Sequence, residues 1–73
     1  MTKLWKYDFD IAKYTKAIES NPDNYGAYSN RGIAYQKKGQ YGLSIADFKK
    51  AIELNPDFDM AYINRGNAYQ EIG

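Results

Sequence analysis

Residues 25–56 read YGAYSNRGIAYQKKGQYGLSIADFKKAIELNP, and the chain on each side of them copies one half of this stretch. A shift of 34 places Tyr7 on Tyr41, Ile11 on Ile45 and Ala17-Ile18-Glu19 on Ala51-Ile52-Glu53. The same shift places Asn21-Pro22-Asp23 on Asn55-Pro56-Asp57, Asn30-Arg31-Gly32 on Asn64-Arg65-Gly66 and Ala34-Tyr35-Gln36 on Ala68-Tyr69-Gln70. More than half of the comparable positions are identical, and no gap is needed. A fixed period of this length marks stacked supersecondary units, none of which buries its apolar face alone. Such a pattern leans toward binding or assembly rather than catalysis.

Inside the quoted stretch the spacing predicts two helices. Asp23 or Asn24 caps the first, which runs to about Lys37 with Ala27, Tyr28, part of Arg31, Gly32, Ala34 and Tyr35 on its buried face. Glycine inside a helix costs about 1 kcal/mol relative to alanine, so Gly32 predicts the close approach of a neighbouring helix. Lys37 and Lys38 suit the negative end of the helix dipole, and Gly39 closes the helix. The second runs from about Tyr41 to Leu54, with Tyr41, Ile45, Phe48, Ala51 and Ile52 inward.

Upstream, residues 2–20 hold neither Gly nor Pro, and Leu4, Tyr7, Ile11, Tyr14, Ala17 and Ile18 recur every three or four positions. Thr2 can cap this helix, or it starts as late as Tyr7 if it copies the later repeat. Asn21 is suited to a left-handed conformation past its end, and Pro22 disfavours helix in the residue before it. Downstream, about Phe58 to Ile72 copies the helix that begins near Tyr25, and the chain closes on Gly73. The eight tyrosines belong to this core pattern, and nothing reads as a strand.

With 73 residues the chain makes one small domain. It has no cysteine and no histidine, which excludes disulfides, thiolate or imidazole metal sites and Cys/His catalysis. Ten basic and nine acidic residues are interspersed, so no basic block tracks phosphates and no nucleic-acid partner is expected. Lys37-Lys38 and Lys49-Lys50 are diluted by Asp47, Glu53 and Asp57. No run has the length of a membrane span and the start lacks a signal-peptide core, so no membrane partner and a cytoplasmic location are expected. Asp8 and Asp10, two apart, fall on different helix faces. No phosphate loop, metal-ligand cluster or nucleophile–base pair is present, so neither enzyme, metal nor cofactor is expected.

Tyr28-x2-Arg31-Gly32-x2-Tyr35, followed by Ser44-x3-Phe48, Ala51 and Pro56, resembles the tetratricopeptide repeat, a helix–turn–helix unit of the same period. The family's first aromatic matches Tyr28 and Tyr62, its glycine Gly32 and Gly66, its tyrosine Tyr35 and Tyr69. Its second-helix aromatic matches Tyr14 and Phe48, and its closing proline Pro22 and Pro56. Two positions depart from the pattern. Arg31 and Arg65 replace the usual leucine, and Ser44 and Asp10 replace the usual alanine early in the second helix. The resemblance implies an all-α array of four antiparallel helices. With A and B naming the two helices of a repeat, they read B, A, B, A. Residues 1–22 are then a half repeat, 23–56 a complete one and 57–73 another half.

The resemblance also implies that the A helices line a concave face that grips a protein or peptide. On the first A helix that face is Ser29, Asn30, Ile33, Gln36 and Lys37. On the second it is Met60, Ile63, Asn64, Asn67, Gln70 and Glu71. Asn30 and Asn64 suit a peptide backbone because an amide both donates and accepts. Asn30 also matches the asparagine of the family's carboxylate clamp for acidic chaperone tails. Met60 and Asn64 stand where that clamp needs Lys and Arg, which argues against such a ligand.

The rival reading is a self-assembling unit. The first helix lacks an A partner before it and the last a B partner after it, leaving apolar stripes near Ile11, Tyr14 and Ile18 and near Tyr62, Gly66 and Tyr69. Joined head to tail, these stripes give a homo-oligomer, either a ring or an open superhelix. A twofold arrangement, with like ends packing together or helices exchanged, is the competing geometry, and a cut from a longer array is the plain alternative. Arg31 and Arg65 can contact an anionic ligand or can pack a stem beside Tyr35 or Tyr69 while the head pairs with a neighbouring carboxylate. The second is favoured because both copies carry the residue.

Overall fold

Two Asn-Pro-Asp signals and one Gly divide the chain into four helices, and a computed structural model describes residues 5–72 of them. They are α1 (Trp5–Ser20), α2 (Tyr25–Lys37), α3 (Tyr41–Leu54) and α4 (Asp59–Ile72), with no strand among the described residues. The expected cap at Thr2, Leu4 on the apolar face and the closing Gly73 lie outside the described residues. Short connections make consecutive helices antiparallel neighbours. Each packs on the next, with a lighter contact between α2 and α4, in a slab of 38 × 31 × 15 Å.

The turns follow from side-chain chemistry. Asn21 Oδ1 accepts from the Asp23 N–H at 3.2 Å, and Asn55 Oδ1 accepts from the Asp57 N–H at 3.2 Å. Asn24, not Asp23, caps α2, accepting from the Ala27 N–H at 3.0 Å. Phe58 stands at the matching position before α4, where its ring meets Tyr25 edge-on at 5.2 Å instead. The left-handed conformation expected at Asn21 is not adopted, for no non-glycine residue among those described has positive φ. Its counterpart Asn55 is extended (φ −142°, ψ 90°), the conformation a following proline imposes. Gly39 does take the left-handed region, at φ 81°. The Gly39 N–H then donates to Gln36 O and the Gln40 N–H to Tyr35 O, both at 2.9 Å, closing α2 in a Schellman turn.

Small residues on the inner faces let the helices approach. Phe48 is fully buried, as are Ser44 and Ala51 of α3 and Ala61 and Ala68 of α4. The alanines Ala27 and Ala34 complete the buried face of α2. A Cβ on Gly32 would stand 2.7 Å from Phe48 Cε1 and 2.9 Å from Cδ1, so the ring lies on bare backbone. This is the close approach that the helix-interior glycine predicts. No residue of α1 is fully buried, because only one of its faces meets a neighbour.

The two glycines of the period therefore diverge. Gly32→Ala is expected to destabilise by about 1–2 kcal/mol, as a methyl pressed into an immobile buried ring outweighs the gain in helix propensity. Nothing lies within 4 Å of a Cβ on Gly66, so Gly66→Ala is expected to stabilise by up to about 1 kcal/mol. Urea unfolding of the two variants checks the opposite signs.

Candidate functional site

Helical spacing sets one row of α2 beside one row of α4. Ile33, Gln36 and Lys37 face Asn64, Asn67, Gln70 and Glu71 across a cleft of about 380 Å³, with Tyr41 at its end. Besides Ile33 and Tyr41 the lining is four amides with one charge of each sign, Lys37 and Glu71. Asn64 Nδ2 is buried in the wall and has no hydrogen-bond partner among the described residues. An orphaned donor of this kind costs about 1–3 kcal/mol. A smaller hollow of about 230 Å³ lies between α1 and α2, where Asp10 and Tyr14 face Asn30, and it shares Ile33 and Lys37 with the cleft.

The structure thus gathers Ile33, Gln36, Lys37, Asn64, Asn67 and Gln70 of the residues expected on a concave face, together with Glu71. Asn30 lies in the adjoining hollow. Ser29 is 3% exposed and takes no part in the open surface. Met60 and Ile63 are exposed but lie outside both cavities. Tyr41 was not expected there. Its sequence position gave the signal, since it opens α3 immediately after the turn that ends α2 beside Lys37.

Arg31 is a clasp between helices. Its Nε donates to Asp47 Oδ2 at 2.8 Å and its Nη2 to Asp47 Oδ1 at 2.7 Å, a bidentate pair. Its Nη1 donates to Thr15 Oγ1 at 3.2 Å, so one guanidinium joins α1, α2 and α3. The rings of Tyr28 and Tyr35 lie 5.8 and 5.7 Å from its Cζ. Hydrogen bonding to Asp47 holds the guanidinium above its ordinary pKa, against burial, which acts the other way. Asp47 is 5% exposed, which corrects its reading as surface charge that dilutes the neighbouring lysines. Arg65, the copy of Arg31, has no salt bridge among the described residues and lies over Tyr62 at 5.4 Å.

The stripes expected at the two ends differ. On α4, Tyr62, Gly66 and Tyr69 are exposed. On α1, Ile11, Tyr14 and Ile18 are half-buried. The exposed large apolar residues of α1 are instead Trp5 and Phe9, whose rings meet edge-on at 5.8 Å. Their spacing of four was visible in the sequence but on another face from the Tyr7–Ile11 row.

Among the described residues no group of three or more acidic side chains could hold a metal ion, and no helix is long and apolar enough to cross a membrane. Family models agree on what this period is. One described as tetratricopeptide repeat matches residues 25–58, a second described as TPR repeat matches 6–39, and a third, again tetratricopeptide repeat, matches 47–73. No curated protein matches the chain.

An orphaned donor in a cleft wall predicts a stability cost borne by the site. Replacing it by an apolar group of similar size, Asn64→Leu, is expected to stabilise the chain by about 1 kcal/mol. Thermal unfolding of the variant beside the parent chain measures it.

Proposed function

The chain belongs to the tetratricopeptide repeat family, and from that premise we propose that it holds an extended peptide in the cleft between α2 and α4. Repeats of this family mediate protein–protein interactions and form a scaffold rather than an active site. In this reading residues 23–56 are the complete repeat, flanked by half repeats over 1–22 and 57–73.

The observation that carries the proposal is the buried, unpartnered Asn64 Nδ2 in the cleft wall. A peptide backbone presents a carbonyl every residue, and a small rearrangement of the wall lets that donor reach one. Gln36, Asn67 and Gln70 each add an amide that both donates and accepts, so they serve carbonyls and N–H groups alike. Lys37 and Glu71 cancel, which suits a peptide without a strong charge rather than an acidic tail. Arg31 adds no cation to the grip, since Asp47 occupies it.

A second reading has its own observation. The open Tyr62, Gly66 and Tyr69 of α4 suit a self-assembling unit in which another copy covers them.

Selection of extended peptides on dilute chain, followed by amide chemical-shift mapping, tests the first reading. Shifts are expected at Gln36, Asn64, Asn67 and Gln70, and Asn64→Leu is expected to weaken binding roughly tenfold while leaving the fold intact. Peptides that bind equally well to Asn64→Leu, or that shift only α1 and α3, would contradict it.

A further inference from the structure

Shifted by 34, each position of α2 has a copy on α4, and two antiparallel connections point these helices the same way. Copies therefore stand level with each other across the cleft, and the sequence sets what each level offers. Gln36 is level with Gln70, an identical pair that treats both directions of a peptide alike. Ile33 is level with Asn67, but Ile33 packs against the core cluster of Ile45, Phe48 and Ala68. Lys37 is level with Glu71, and here the two walls carry opposite charge.

Neither charge is already used. Among the described residues Lys37 and Glu71 make no salt bridge, with each other or elsewhere. Both are exposed. In the adjoining hollow, Lys6 and Asp10 balance each other and add no net field. Position 37 stays exposed although α3 follows α2 directly and packs along it, so exposure at 71 follows from the register that the two positions share.

We infer that Lys37 and Glu71 set the specificity of the cleft: the peptide it holds carries one acidic and one basic side chain two residues apart, the acid over α2 and the base over α4. This rests on the reading of the cleft as a peptide site. The spacing follows from backbone geometry. In an extended chain, residues two apart share a face and stand about 7 Å apart, while packed helix axes lie about 8–10 Å apart. Long Lys and Glu side chains cover the difference. The amides grip a backbone whichever way it runs, so the charges decide which end of the peptide lies on which helix. Charge also excludes. A peptide with two acids sets one against Glu71, and a peptide with two bases sets one against Lys37.

Four threonine–serine peptides of about nine residues test this on the full chain, carrying Asp and Lys, two Asp, two Lys or two Asn at positions two apart. The Asp–Lys peptide is expected to bind the parent chain roughly fivefold more tightly than either like-charged peptide, with the Asn peptide between. High salt is expected to close that gap, because both ion pairs are exposed. Glu71→Lys is expected to shift the preference to the two-Asp peptide, and Lys37→Glu to the two-Lys peptide. The double swap of Lys37→Glu with Glu71→Lys keeps the net charge and is expected to restore the Asp–Lys preference with the peptide turned round. A spin label beside the Asp is then expected to broaden the amide of Gln70, where in the parent chain it broadens that of Gln36. If none of the four binds, or the shifts fall away from Gln36, Asn64, Asn67 and Gln70, the peptide site and the charge pairing fall together. If all four bind the cleft equally, or the swaps leave the order and the broadening unchanged, the charge pairing falls and the peptide site stands.

Discussion

The contact on which the structure depends is the Phe48 ring laid on the Gly32 backbone. Dispersion falls steeply with separation, so a ring against bare backbone gains contacts that any side chain at position 32 would remove. That contact sets how closely α3 approaches α2, and the depth of approach decides what its neighbours do. Asp47 becomes buried, which would be costly for a lone carboxylate, and the bidentate grip of Arg31 offsets the cost. Alanines and serine fill most of the rest of the layer, with Ile45 as its larger buried member. A helix-interior glycine, unfavourable by propensity, is thus the residue that lets α3 pack closely on α2.

Much of this was legible in the sequence because the period carries it. The four helices, their stops at Asn-Pro-Asp and Gly39, and the close approach at Gly32 all follow from residue types whose backbone or packing demands are local. Arg31 was readable as a clasp for the same reason, since a charged residue repeated at an apolar position needs a carboxylate nearby. Its partner was harder to see. Asp47 lies six residues before Glu53 and two before the Lys49-Lys50 pair, and only the rotation of α3 set by Phe48 turns it inward while leaving Lys49 and Lys50 exposed.

The candidate site was legible in outline and less so in detail. Spacing of three and four brings Ile33, Gln36, Lys37, Asn64, Asn67 and Gln70 to one cleft, and that much a helical projection gives. Whether a residue at the edge of the row is open or covered depends on how far neighbouring helices lean over it, which no projection contains. Ser29 is covered for that reason, while Met60 and Ile63 stand clear of the cleft. Trp5 and Phe9 show the same limit on α1, which among the described residues packs only on α2.

If the ring-on-glycine contact and the Arg31–Asp47 clasp hold the molecule together, stability must be concentrated where they lie. Native-state hydrogen exchange measures this residue by residue. The amides of α2 and α3 around Gly32 and Phe48 are expected to exchange only by global unfolding, while those of α4 beyond Gly66 exchange through local opening at lower free energy. Equal protection along α2, α3 and α4, or greater protection in α4, would contradict the account.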